Sequence, residues 1–300
     1  MYPILHAQGL FSKVPVAEIT YDASLREKTT FRIGGKTKAF FTPRSISSLV
    51  KVYQRCLEYE IPIYILGGGS NLLITRDLEG VVLSLKHLRK IELEQHHFVR
   101  AQCGASLNAL IQFAEQRNLG GMEKLVGIPG TVGGALSINA GGKYANIGKS
   151  VFLVHVLEKE GSLRWKTQEE CQFEYRNSGL RNEVILEVIL QLQPNVERAQ
   201  LRESKISVMQ EKCQTQPLSA YSAGCVFKNP PGHSAGRLID QAGFKGHMVG
   251  DAIVSACHAN FILNRGQATA EDVLQLMDQI RNRVEHQTQI VLQPEICFWN

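Results

Sequence analysis

Cys225 stands alone between Gly224 and Val226 in "SAGCVFKNPPG", just ahead of a Lys228-Asn229-Pro230-Pro231-Gly232 turn. Two readings are open for it. A free cysteine is often a small buried hydrophobe. A protonated thiol, with a reference pKa of about 8.5, is also a competent general acid at neutral pH. Two charged residues pose the same choice. Arg176 in "EYRNS" could grip a carboxylate with its guanidinium fork, or simply pair with Glu174 at the surface. Glu295 in "IVLQPEICFW" could hydrogen-bond a ligand, or face solvent from an edge strand.

Two glycine-rich stretches complete the set. "GGGSN" (67–71) follows the apolar run "IPIYIL", where backbone N–H groups can cradle an anion. It is not a Walker A loop, which needs Gly-Lys-Ser/Thr. Nor is it G-x-G-x-x-G opening a helix, because strand-like "LLI" follows. A plain hairpin turn suits it as well. "GIPGTVGGALSINAGG" (127–142) holds six glycines and no charge. Glycine packs nothing and orders at an entropic cost, so this stretch predicts backbone wrapped around a ligand. Two uncharged loops of this kind point to one extended dinucleotide.

The elements that must position these residues are short. "FRIGGKTKAFFTP" (31–43) reads as a Gly-Gly turn and a strand. Ser45 opens a helix with Leu49, Val50, Tyr53 and Leu57 at helical spacing. Residues 61–74 read as strand, glycine loop, strand, and 80–85 as a further strand. Residues 90–104 form a hairpin about an exposed His96-His97 tip, without metal-ligand spacing. A helix over 106–121 ends at glycine. Residues 151–167 make a hairpin turning near Glu160-Gly161, and 184–192 an aliphatic strand. A polar helix follows within 193–219. Thr269 and Asp272 resemble a capping box ahead of the stripe Val273, Leu276, Met277, Ile280 and Val284. A strand over 290–299 carries Glu295. Many short strands with a few helices between them predict α+β layers rather than a regular βαβ series.

Composition sets the bounds. Three hundred residues, 44% hydrophobic and 20% charged, suit a globular protein of two or three domains. No run of about 18 apolar residues predicts a membrane span. "MYPILHAQGLFSKV" lacks the basic and apolar regions of a signal peptide. Seven cysteines include no C-x-x-C pair, which excludes a zinc ribbon and a thioredoxin motif. Their scatter suits a reducing cytoplasm, and the six besides Cys225 are expected to pack. No metal is expected. A net charge of +5, with cations interspersed among acids, offers no nucleic-acid stripe. A phosphorylated substrate or cofactor would account for it.

Taken together, "TTFRIGG" (29–35), "LGGGSNLLI" (66–74), "GIPGTVGGALSINAG" (127–141), "YRNSGLR" (175–181), "AGCVFKNPPG" (223–232), "GRLID" (236–240), "HANFILN" (258–264) and "QPEICF" (293–298) resemble the UDP-N-acetylenolpyruvoylglucosamine reductase family, in order and over nearly the whole chain. The resemblance implies an FAD-binding region over 1–196, of the vanillyl-alcohol-oxidase class, in two subdomains split near 80–90. It implies a substrate-binding domain over 197–300. With Asn229-Pro230-Pro231-Gly232 leading straight to "GRLID", the chain is similar to the family's shorter type, which lacks a tyrosine-bearing loop.

The implied reaction belongs to peptidoglycan synthesis. NADPH reduces non-covalently bound FAD, and hydride then passes from flavin N5 to C3 of UDP-N-acetylglucosamine enolpyruvate, giving UDP-N-acetylmuramate. Gly67, Gly68, Gly69, Ser70, Asn71 and Leu72 would hold FAD, with Gly127, Ile128, Pro129, Gly130, Gly133, Gly134, Asn139, Ala140 and Gly141. Arg176 would hold the substrate carboxylate and its growing charge. Glu295 would hydrogen-bond the substrate or its enolic form, and beside that carboxylate it would have to be neutral. Cys225 stands where a serine is commoner and would give the proton to C2. A nearby lysine or helix N-terminus would spoil this by forming thiolate. Tyr144, Lys228, Asn229, Arg237 and His258 are the expected substrate contacts. The resemblance leaves two alternatives: a sugar or alcohol oxidase of the same wider class, and a flavin-binding protein without turnover.

Overall fold

The computed structural model describes residues 18–300; the N-terminal stretch read for a leader lies outside them. In chain order come β1 (Ile19–Ser24), β2 (Lys36–Phe41), α1 (Ile46–Glu58), β3 (Ile63–Leu66), β4 (Leu72–Ile74) and β5 (Leu78–Ser84). Next are β6 (Ile91–Leu93), β7 (Phe98–Gln102), α2 (Leu107–Glu115), α3 (Val132–Ser137), β8 (Val151–Leu157), β9 (Leu163–Thr167) and β10 (Val184–Gln191). The last are α4 (Arg198–Thr215), α5 (Ala235–Gln241), β11 (Met248–Val249), β12 (Ala252–Val254), β13 (Ile262–Asn264), α6 (Ala270–Thr288) and β14 (Cys297–Trp299).

Two compact units divide these elements. The first comprises residues 18–23, 38–68 and 79–209; the second comprises 24–37, 69–78 and 210–300. The sequence places its boundary near 195–200 and predicts no such interleaving. Segments 24–37 and 69–78 join the second unit because their apolar residues Phe31, Ile33 and Leu73 belong to its core.

The first unit carries a four-stranded sheet, β1-β2-β5-β3, and a five-stranded sheet, β6-β7-β10-β8-β9. In the second sheet every pairing is antiparallel. β10 lies at its centre and is buried along all but its last residue, its aliphatic run broken only by the buried Glu187. Ser45 caps α1 by accepting the Ser48 N–H, and Ser106 caps α2 by accepting that of Ala109. The buried stripe of α1 is Leu49, Val52, Tyr53 and Cys56; Leu57 is exposed and Val50 only half-buried.

The second unit packs α5 and α6 with the small sheet β11-β12-β13. Thr269 and Asp272 form the expected capping box, and all five predicted stripe residues of α6 are buried. The parallel pair β4–β14 sets Leu72 opposite Cys297 and Ile74 opposite Trp299. Among the described residues no helix is long and apolar enough to cross a membrane. None of them forms a group of three or more metal-binding side chains.

Candidate active site

In the first unit the two glycine stretches meet backbone to backbone. A Cβ on Gly68 would lie 2.7 Å from the Gly130 Cα, and one on Gly67 would lie 2.6 Å from Thr131 Oγ1. No side chain fits at either crossing. The first stretch is not a hairpin turn, because β3 pairs with β5 whereas β4 pairs with β14. The second is not loop throughout. Thr131 accepts the Gly134 N–H and starts the short α3, which buries Val132, Gly133, Ala135 and Leu136.

That burial separates the predicted cofactor residues into two kinds. Gly68, Pro129 and Gly134 are exposed, and Gly67, Ile128, Gly130 and Gly141 half-buried. They leave bare, uncharged backbone on the surface where the loops cross. A flat or pyrophosphate-bearing group can lie against it, so these residues fit FAD. Gly133 faces inward, its Cβ position 2.8 Å from the Cys103 Cβ. Asn139 and Ala140 are buried, and both ends of the Asn139 amide are engaged. It donates to the Glu174 carbonyl at 2.8 Å and accepts the Gly148 N–H at 3.0 Å.

Arg176 belongs to this same cluster. It has φ +54°, and Nη1 donates to the Gly141 carbonyl at 2.6 Å, with Tyr175 5.6 Å away under the guanidinium. The arginine is thus tied to the second glycine stretch. Tyr144, just beyond that stretch, is exposed and accepts a hydrogen bond from Lys143 Nζ at 3.1 Å.

The second unit pairs the segments that carry Cys225 and Glu295. The Glu295 N–H donates to the Val226 carbonyl, and the Lys228 N–H to the Gln293 carbonyl, both at 2.8 Å. Phe227 and Pro294 bridge in antiparallel fashion. Cys225 and Glu295 therefore stand one step out of register on adjacent segments. Glu295 is not inside a strand as predicted: β14 begins only at Cys297, since Pro294 has no N–H to give a ladder. Asn71 ties down the segment that carries Glu295. Its Nδ2 donates to the Glu295 carbonyl at 3.3 Å and its own carbonyl accepts the Cys297 N–H at 3.0 Å. Ser70 beside it is half-buried. Gly69, with φ +61°, packs on the Lys28 carbonyl, and Leu72 is buried in β4.

The remaining expected contacts line the same unit. Asn229 Oδ1 accepts the Ala235 N–H at 2.9 Å and so leads the turn into α5, on which Arg237 is exposed. His258 is half-buried; burial, reinforced by Lys245, lowers its pKa below 6.5. One engaged residue escapes the sequence reading. Asn260 bonds the backbone beside Cys225, and only the sight of a lone asparagine inside the apolar "HANFIL" could have flagged it. Asp77 Oδ1 accepts the Lys36 N–H at 2.7 Å and so ties two segments far apart in the chain. Cys213 and Cys257 are exposed and do not pack. His97 is half-buried and stacks on Phe98 rather than standing exposed.

Residues 37–166 match the model of an FAD binding domain, and residues 216–299 match the C-terminal domain of UDP-N-acetylenolpyruvoylglucosamine reductase. The reductase of that name from Acaryochloris marina is 39% identical over 283 residues, covering 93% of this chain and 92% of its own. That from Moorella thermoacetica is 39% identical over 284 residues, covering 94% and 93%. The crystal structure of UDP-N-acetylenolpyruvylglucosamine reductase from Thermus caldophilus aligns with a TM-score of 0.81 at 34% identity, over 94% of this chain and 98% of that one. A berberine bridge enzyme variant aligns over 64% of this chain and 43% of its own, with a TM-score of 0.53 at 17% identity, a likeness of fold alone. The fold is accordingly α+β, with an FAD-binding part of the vanillyl-alcohol-oxidase class.

Proposed function

Since the chain belongs to the UDP-N-acetylenolpyruvoylglucosamine reductase family, FAD oxidoreductases of peptidoglycan synthesis, we propose that it reduces UDP-N-acetylglucosamine enolpyruvate to UDP-N-acetylmuramate, with NADPH as reductant, in the cytoplasm. The observation that supports this reading is the pairing of the segment after Cys225 with the segment of Glu295, through the Glu295 N–H to Val226 carbonyl bond, within the part matching the family's C-terminal domain.

Bound FAD would supply the redox chemistry, taking hydride from NADPH and passing it to C3 of the enolpyruvyl group. Gly67, Gly68, Gly127, Ile128, Pro129, Gly130 and Gly134 would hold it through backbone. Arg176, presented by the Gly141 carbonyl, would bind the substrate carboxylate and the charge that grows on it. Glu295 would hydrogen-bond the enolic form. Cys225 would give its proton to C2. Lys228, Asn229, Arg237, His258 and Tyr144 would contact the UDP-sugar. In this reading the FAD-binding region lies within 1–196 and the substrate domain within 197–300, with segments 24–37 and 69–78 built into the second unit as well.

The test is anaerobic. NADPH should bleach the flavin, and the UDP-linked enolpyruvyl sugar should restore its colour. In Cys225→Ala the bleaching should persist and the recovery should stop. Bleaching without recovery in the wild-type protein would mean that its acceptor is another compound. Prompt recovery in Cys225→Ala would remove Cys225 as the proton donor.

A further inference from the structure

We propose that Asn260 is the positioning residue for Cys225. The inference rests on the reading of Cys225 as proton donor, and it starts from an irregularity. The segment bearing Cys225 lies in no regular strand. It follows Gly224, with φ +81°, and its pairing is broken into isolated bridges, Cys225 to Phe261 and Phe227 to Pro294, with segment 293–295 bonded to Val226 and Lys228 on one side. A ladder would fix the position of a reacting thiol by repetition. Here the side of the segment that faces residues 258–261 is held by a side chain instead.

Asn260 does it from a buried position. Its Oδ1 accepts the Phe227 N–H at 3.0 Å, and its Nδ2 donates to the Phe227 carbonyl at 2.7 Å. The side-chain amide thereby reproduces the paired bonds that a neighbouring strand would make. Its own carbonyl accepts the Val226 N–H at 2.8 Å. Three bonds from one residue thus fall on the two residues directly after Cys225. Asn260 is held in turn. Its N–H donates to His258 Nδ1 at 3.2 Å, and Ser255 Oγ accepts the N–H groups of Cys257 and His258 at 3.2 and 3.3 Å. The chain of contacts runs from a buried serine turn, through Asn260, to the backbone that aims the thiol.

A proton donor acts over hydrogen-bond distances, and a misplacement of about 1 Å can cost about 100-fold in rate. The test uses the FAD-loaded enzyme and follows flavin absorbance in each half-reaction. It adds iodoacetamide labelling resolved by peptide, with exposed Cys213 as the reference thiol. Asn260→Ala should bleach with NADPH at the wild-type rate and recover with substrate about 100-fold more slowly. Labelling of Cys225 should change and that of Cys213 should not. Equal slowing of both half-reactions, with unchanged Cys225 labelling, would make Asn260 a structural residue and overturn the proposal. Wild-type recovery in Asn260→Ala beside a blocked Cys225→Ala would overturn it and leave the Cys225 reading intact. Wild-type recovery in Cys225→Ala would overturn both. Should Asn260→Ala fail to fold, Asn260→Asp keeps the acceptor for the Phe227 N–H and carries the same comparison.

Discussion

Cys56, Cys103 and Cys171 are buried, and burial pushes each thiol up to about 12. Thiolate is the reactive form, so these three should resist alkylation. Cys225 is half-buried, and Cys213 and Cys257 are exposed. Peptide mapping after iodoacetamide should therefore find label at Cys213, Cys257 and Cys225 and none at the buried three. Activity should fall in step with Cys225 labelling, and bound substrate should protect it; loss in step with Cys213 or Cys257 would refute this. His258 gives the second prediction at this scale. Its folded pKa is lowered from 6.5 by burial, so below about 6.5 the unfolded chain binds the proton more readily. Stability contributed by neutral His258 is complete above 6.5 and is lost as pH falls toward the lowered value. Melting temperatures at pH 7.5 and 5.5 should show this drop in the wild type and a smaller one in His258→Gln.

Two elements of the first unit are joined by one carboxylate. Glu115 ends α2 and is buried; it accepts from Arg202 Nε at 2.9 Å and from Lys205 Nζ, both on α4. The Lys205 bond, with Arg202 behind it, holds the Glu115 carboxyl at about 2 rather than 4.5. Its contribution is complete above pH 4.5 and disappears as pH falls toward 2. Glu115→Gln should destabilise the protein by about 1–3 kcal/mol at pH 7, read from denaturant midpoints, and the deficit should shrink in acid. The crossing of the glycine stretches makes a separate prediction. Gly68→Ala would place its Cβ 2.7 Å from the Gly130 Cα, so the purified variant should carry less flavin than wild type. Equal flavin content would remove that crossing from the cofactor site. These elements differ in how far the sequence reveals them. Ser45, Ser106 and Thr269 announce their helices because a cap lies within a few residues of the turn it satisfies. Helix α3 was hidden, because its glycines outweigh its Thr131 cap in any local reading. The anchoring of Glu295 by Asn71 was hidden for a different reason: the two are distant in sequence and only the fold joins them.

At the scale of the molecule, the second core draws on three separate stretches. Phe31, Ile33 and Leu73 are buried in it together with residues from 223 onward. Residues 210–300 alone would lack those side chains and the whole of β4. Such a fragment should show no cooperative melt, whereas one sharp transition would mean that the two short segments are dispensable. The family was legible in the sequence, since motif residues carry their own types and order. The interleaving was not, because strand pairing across the length of a chain leaves no periodicity at either end. The same pairing imposes an order of events during synthesis. Leu72 must wait for Cys297, its partner in β14, and β14 is the last element in the chain order. Contacts so far apart close slowly. Until the residues from 223 onward have been made, Phe31, Ile33 and Leu73 are apolar surface without a core, a target for chaperones on the nascent chain.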